Sequence, residues 1–302
     1  MLKITLSILF SISFLFSVAQ PLGYNYGKII SVSSSQVSGS STLLDFPVLI
    51  NVIDPDLRSI SNSGHIENIN GYDITFTLSN CSSVLDYQLE KYDPTTGELI
   101  VWVKVPTLFA SSNTNIHMYY GNSSITTSLS KESTWANSYG AVWHMNQSPS
   151  LSAPQLIDYT KNFNDGTANG GMTGTNLVAG KIGYGVSFDG SNDYIGFGDV
   201  IVDGLTQITV EAWIFPTALP TKASPSGHNS FEGAIVHKNG SSDDNLGITV
   251  ATGAMAFYID DGGNNTPTAA APALNTWMHV VGTWDNTTMT IYQNGVSVST
   301  LG

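Results

Sequence analysis

The sequence has few charged residues, and few of those are basic. Charged side chains make up 11% of its 302 residues, with 10 Lys+Arg against 23 Asp+Glu and a formal net charge of −13. An average soluble protein has about 25% charged residues. A chain with so little positive charge cannot neutralise a phosphate backbone, so we expect no nucleic-acid partner. Aromatic residues make up 10% of the chain, which excludes an acidic disordered tail.

The sequence has one cysteine, Cys81, so no disulfide can form within the chain. Secreted animal domains of this size usually carry paired cysteines. We interpret Cys81 as a small buried residue, with an intermolecular disulfide as the alternative.

One apolar run is typical of a targeting segment, and it begins the sequence. Met1-Leu2-Lys3 precedes the apolar stretch Ile4–Val18, and Ser17-Val18-Ala19 supplies small residues for signal peptidase. This pattern predicts a signal peptide over residues 1–19. No other run reaches the ~20 apolar residues of a membrane helix, so we expect no membrane insertion after cleavage. Export without disulfides indicates a bacterial protein that is secreted, extracellular or held at the cell surface.

No long amphipathic helix is visible, and alternating apolar residues indicate strands instead. Leu99–Val105 and Ile208–Ile214 alternate with period two. Asn294-Gly295 tolerates positive φ at both positions, which predicts a two-residue hairpin turn. Short alternating runs between turn signals are typical of antiparallel sandwiches. We therefore predict an all-β fold with two antiparallel β-sandwich domains.

Composition predicts where these domains divide. Residues 21–120 form the first predicted sandwich, and residues 139–302 form the second. Between them, residues 121–138 are rich in Ser and Thr and poor in core-forming residues, which predicts a linker with one helical turn at Lys131–Ala136.

The second half resembles a concanavalin A-like, laminin G-like jelly roll. The matching segments are Ala141–Met145, Asp158–Thr160, Asn164–Gly166, Gly180–Gly190, Asp193–Ile195, Ile208–Ile214, Asn275–Val281 and Tyr292–Val296. In this family the jelly roll continues for several strands after the last of these segments. The resemblance therefore implies that the second domain lacks its last strands, and that the chain is a fragment of a longer, multidomain protein.

The first half, over about residues 22–122, resembles the secreted module named domain of unknown function 2341. The matching segments are Asp45–Ile50, Gly71–Phe76, Leu89–Asp93, Gly97–Pro106 and Met118–Asn122. This module often precedes a laminin G-like domain directly. Neither family implies a catalytic activity by membership alone.

Paired carboxylates for glycoside hydrolysis are missing. Such enzymes on a jelly roll place two acids on one strand face, but Glu211 stands alone on its predicted strand. No pair of histidines has the i+2 or i+4 spacing of a metal site. We therefore expect no enzymatic activity. The family motifs that contain Trp213 and Trp277 indicate core positions for both side chains.

Calcium is the one cofactor that the sequence favours. Hard cations bind carboxylate and amide oxygens on loops, and Asp158, Asn162, Asn164 and Asp165 form such a cluster. We predict Asp158 and Asp165 as the first ligands of a structural Ca²⁺ ion. The alternative is that these residues are good turn formers.

These features favour a secreted or cell-surface, non-catalytic recognition or adhesion module that binds carbohydrate or a surface protein. Two alternatives remain. The chain could be an N-terminal accessory part of a larger polysaccharide-active enzyme, or a structural spacer with no ligand.

Overall fold

The structure is a computed structural model that describes residues 21–37, 39–78, 83–135, 138–198, 205–221, 233–238, 246–251, 253–259 and 266–302. The predicted signal peptide and Cys81 lie outside these residues. The chain divides into two compact units, one within Ile4–Val200 and one within Ile201–Gly302. This division falls beyond the predicted linker at 121–138, and the predicted domain boundaries stay a prediction.

The first unit is built from short strands and single turns of 3-10 helix. Its strands are β1 (Tyr26–Val32), β2 (Leu43–Ile53), β3 (Ile74–Thr77), β4 (Tyr87–Asp93), β5 (Glu98–Leu108), β6 (Thr114–Tyr120), β7 (Thr167–Asn169), β8 (Leu177–Ala179), β9 (Tyr184–Val186) and β10 (Tyr194–Gly196). Its 3-10 helices are Ser34–Gln36, Pro55–Leu57, Ile60–Asn62, Glu132–Trp135 and Gly174–Asn176. The helix at Glu132–Trp135 confirms the predicted helical turn.

Two antiparallel three-stranded sheets of the first unit enclose one core. One sheet has the strand order β1-β6-β3 and the other has the order β2-β5-β4. Alternation along β2 turns Val48 and Ile50 inward, where they pack with Ile30 and Ile116 of the opposite sheet. The pairs β7-β10 and β8-β9 form two separate ribbons in residues 167–196.

The second unit is also a pair of antiparallel sheets. Its strands are β11 (Ile208–Ile214), β12 (Ala234–Lys238), β13 (Leu246–Val250), β14 (Ala254–Ile259), β15 (Thr268–Ala270), β16 (Met278–Trp284), β17 (Met289–Gln293) and β18 (Val296–Leu301). One sheet has the order β11-β16-β17-β18 and the other has the order β12-β13-β14-β15. Ile248, Phe257, Val280 and Ile291 from the two sheets form the buried core.

A glycine lets the two sheets of the second unit approach closely. A Cβ atom at Gly282 would lie 2.1 Å from Cδ2 of Phe257, so the phenyl ring occupies the space that any other side chain would need. Phe257 is fully buried as a result. The close packing of the two sheets at this position therefore requires glycine at residue 282.

The predicted turn and fold class are confirmed. Asn294 and Gly295 have φ values of 50° and 77°, and Gln293 pairs with Val296 across a two-residue hairpin. All sheets pair antiparallel, and the described chain is all-β apart from its short 3-10 helices.

Candidate functional site

The sheet β11-β16-β17-β18 carries exposed rings on the side away from the core. Ala212 and Ile214 of β11 pack toward the core, so alternation turns Trp213 outward, and 41% of its surface is exposed. Its ring centroid lies 5.0 Å from that of His279, its partner on β16. The prediction that Trp213 belongs to the core is therefore wrong, because neighbouring residues of the same strand already fill the core face.

A second ring pair extends this surface. Phe215 is 42% exposed, and its ring centroid lies 5.4 Å from that of half-buried Trp277. Glu211 Oε2 lies 3.6 Å from His279 Nε2. Glu211, Trp213, Phe215, Trp277 and His279 are named the aromatic face. It combines apolar rings with a carboxylate and an imidazole, which suits a ligand that has both apolar and polar sides.

The first unit has a cleft of about 970 Å³. Ligand pockets usually measure about 300–1,000 Å³ and combine aromatic walls with a few polar groups. The lining residues are Ser130, Lys131, Glu132, Ser133, Trp135, Ser138, Tyr139, Gly140, Lys161 and Asn162.

Lys131, Lys161 and Glu132 line the cleft, and Lys104 and Asp86 contact its lining residues. Lys104 Nζ and Lys131 Nζ lie 2.9 and 3.2 Å from the two carboxylate oxygens of Asp86. Burial acts to raise the pKa of Asp86, but hydrogen bonds from Lys104, Ser133 and Lys131 outweigh it and lower that pKa. Lys161 forms no ion pair with a described residue.

Two aromatic residues form the apolar part of the cleft. Trp135 is buried, and the edge of its ring meets Tyr139 at a centroid distance of 5.3 Å. Trp135 Nε1 donates a hydrogen bond to Gln88 Oε1 on β4. Asn162 Nδ2 donates to the carbonyl of Gly140 at 2.9 Å, which joins the two chain segments of the cleft. Contacts within the first unit therefore fix the segments that line the cleft relative to each other.

Behind the cleft lies a buried pair of titratable side chains, Glu90 and His144. His144 Nδ1 lies 3.3 Å from Glu90 Oε2, and His144 Nε2 lies 3.0 Å from Gln88 Oε1. Trp102 Nε1 donates to Glu90 Oε2 at 2.6 Å. The side chains of Glu90 and His144 are 2% and 7% exposed, so neither reaches solvent freely.

Burial shifts the pKa values of this pair in opposite directions. It raises the pKa of Glu90 from 4.5 to about 7, against the hydrogen bond from Trp102 that lowers it. It lowers the pKa of His144 from 6.5 to about 4. Both shifts favour the uncharged forms, because an ion is poorly solvated in this aromatic environment.

The predicted calcium ligands Asp158 and Asp165 lie together on one loop. Asp165 Oδ1 accepts a hydrogen bond from the backbone N–H of Asp158 at 2.8 Å. The carboxylate of buried Asp158 accepts four more, from the backbone N–H groups of Val142, Thr160 and Asn164 and from the Thr160 hydroxyl. Within the described ranges no cluster of three or more His, Cys, Asp or Glu side chains could hold a metal ion. Calcium binding stays a prediction. The observed hydrogen bonds hold the loop in its conformation.

Sequence patterns did not reveal the cleft or the buried pair. His144 is 56 positions from Gln88, its hydrogen-bond partner on the strand that also carries Glu90. No local periodicity connects residues that far apart. His144 and His279 each lie beside a glutamate. For Trp213, the alternation of β11 was the correct signal, and the family motif was misleading.

Comparison with known families confirms the resemblance inferred from the sequence. Residues 70–150 match the family described as Domain of unknown function (DUF2341), and residues 189–302 match the Concanavalin A-like lectin/glucanases superfamily. The two matched stretches follow each other along the chain. No curated protein matches the chain.

One similar solved structure is the crystal structure of the binding domain of Paraclostridial Mosquitocidal Protein 1. It is 15% identical, covers 52% of this chain and has a TM-score of 0.34. The match spans 40% of that protein chain. A likeness at this score carries no argument about fold or function.

In the part of the chain that the structure describes, no helix combines the length and apolar character needed to span a bilayer.

Proposed function

We propose that this protein is an exported, non-catalytic recognition module that binds carbohydrate on the aromatic face. The observation that carries the proposal is the exposure of Trp213 next to a carboxylate and an imidazole. The match of residues 189–302 to a lectin and glucanase superfamily supports the same ligand class.

The chemistry of a sugar fits this arrangement. The C–H side of a pyranose ring is apolar and packs on an aromatic ring, while its hydroxyl groups need hydrogen-bond partners. Trp213 and Phe215 would supply the rings, and Glu211 and His279 would supply an acceptor and a donor. Binding requires no bond cleavage, and Glu211 has no second carboxylate beside it in the strand sequence.

The test is saturable binding of the full chain to an array of neutral oligosaccharides, followed by calorimetry on the ligands found. Trp213→Ala should weaken binding roughly tenfold, because the stacking surface is lost, and Trp213→Phe should retain most of the affinity. Tyr194→Ala is the matched control, since Tyr194 is a 58% exposed ring in the first unit. Unchanged affinity of Trp213→Ala would refute this site.

The same experiments distinguish the competing roles. Binding to a surface protein, with no glycan bound, would favour adhesion through protein contacts. Absence of any ligand would favour a structural spacer. Release of reducing ends from a polysaccharide would instead support a polysaccharide-active enzyme.

A further inference from the structure

The cleft of the first unit has a local excess of positive charge in an acidic protein. Lys28 and Lys91 elsewhere in this unit each have a carboxylate partner of their own. Lys104 and Lys131 share the single carboxylate of Asp86. Lys161 has no ionic partner among the described residues. Two lysines and one acid, Glu132, therefore line the cleft, while the whole chain carries a net charge of −13.

The non-ionic groups of the cleft suit a polyhydroxylated ring. Tyr139 provides partly exposed aromatic surface and packs by its edge on buried Trp135. Ser130, Ser133 and Ser138 provide hydroxyl groups along the same wall. An aromatic ring with hydroxyl groups near it suits a sugar ring, whose faces are apolar and whose edges carry hydroxyl groups.

We propose that this cleft binds an acidic saccharide, with its anionic group on Lys161 and its ring against Tyr139. The anion is a carboxylate or a sulfate ester, since either accepts a charge-assisted hydrogen bond from an ammonium group. This site is separate from the aromatic face. Most of its lining lies within residues 70–150, which match a family of unknown function, and Lys161 follows that stretch.

The charge of the protein argues for a ligand of low charge density. A net charge of −13 repels polyanions at long range, and Glu132 adds repulsion at the rim. A single anionic group can be neutralised by Lys161, which lines the cleft and has no ionic partner among the described residues. Nucleic acids and polyphosphates are therefore disfavoured relative to an oligosaccharide with one acidic residue.

The experiment is calorimetry on the full chain with three matched probes. One oligosaccharide ends in glucuronate, a second ends in glucose, and a third carries a sulfate ester at that end. We expect at least one acidic probe to bind roughly tenfold or more tightly than the neutral one. The preference should shrink as salt is raised, because the ion pair is exposed.

Variants assign the binding to the cleft. Lys161→Gln should weaken the acidic probe roughly tenfold, and Lys161→Arg should retain it. Lys181→Gln is the control, because Lys181 is another exposed lysine of the same unit that does not line the cleft. In Trp213→Ala the preference for the acidic probe over the neutral one should persist, which separates this site from the one proposed on the aromatic face.

Three results would overturn the proposal: equal affinity for the neutral and acidic probes, no binding of either acidic probe, or unchanged affinity of Lys161→Gln. Binding of the sulfated probe alone, or of the glucuronate probe alone, supports it and identifies the anion.

Discussion

At the residue scale, the least expected feature is a carboxyl group enclosed by indole and imidazole rings. Glu90 accepts a hydrogen bond from Trp102 and contacts His144, and its side chain is 2% exposed. Ionising such a group has a free-energy cost that a neutral isostere does not have. Its partner lies more than 50 positions away in the sequence, so the composition of β4 alone does not predict the burial.

Replacing Glu90 with Gln should therefore stabilise the first unit in a pH-dependent way. A group whose pKa is raised on folding contributes most below its unfolded pKa of 4.5, and that contribution is lost as the pH rises through about 7. Glu90→Gln should match the wild type near pH 4.5 and exceed it by about 3 kcal/mol above pH 7. Urea unfolding at a series of pH values measures the difference.

Glu98→Gln is the control for this series. Glu98 is partly exposed and ion-paired with Lys91 at 2.8 Å, so its replacement should change the unfolding free energy by less than about 1 kcal/mol. A difference between Glu90→Gln and wild type that does not grow with pH would show that Glu90 is ionised without cost.

At the scale of elements, the strands were predictable and the packing between distant segments was not. Alternation in Ile208–Ile214 and the Asn294-Gly295 turn give correct local structure because each depends only on neighbouring residues. The helix Glu132–Trp135 was predictable as a turn, but its place against β4 and β5 was not. The indole of Trp135 contacts the rings of Trp102, Tyr139 and His144.

Trp135 should be the anchor of this helix. Its ring centroid lies 5.1 Å from that of Trp102 and 5.6 Å from that of His144. Trp135→Ala should lower the unfolding free energy by about 3–5 kcal/mol, since a buried indole and its hydrogen bond to Gln88 are lost. Glu132→Ala, at an exposed position of the same helix, should change it by about 0.5 kcal/mol or less. Denaturant unfolding measures both variants. Equal losses of unfolding free energy would contradict the role of Trp135 as the anchor.

At the scale of the whole molecule, the described residues form two separate hydrophobic cores. One is built around Val48, Ile50 and Val101, and the other around Ile248, Phe257 and Val280. The sequence predicted two β-sandwiches correctly because strand periodicity repeats in both halves. It placed residues 139–198 with the second sandwich, and it could not foresee ring contacts such as that of His144 with Trp102, because these contacts join residues far apart in the sequence.

Two cores should give two calorimetric unfolding transitions. Trp135→Ala should lower the midpoint of one transition, and Gly282→Ala should lower that of the other. The alanine methyl group would meet the ring of Phe257, which costs about 1–3 kcal/mol through overpacking. Gly253→Ala is the control in the second unit, because a Cβ atom there meets no neighbour. A single transition moved by both substitutions would show that the two cores unfold together.

The opposite shifts of Glu90 and His144 have a consequence for the response of the fold to acid. Between about pH 4.5 and 6.5, an unfolded chain carries one proton on the imidazole and none on the carboxyl group, whereas the folded chain carries it on the carboxyl group. Folding thus relocates a proton without taking one up or releasing one. Either residue alone would make the unfolding free energy depend on pH in this range. Together their contributions cancel, so the pair adds no pH dependence to the unfolding free energy under mild acidification.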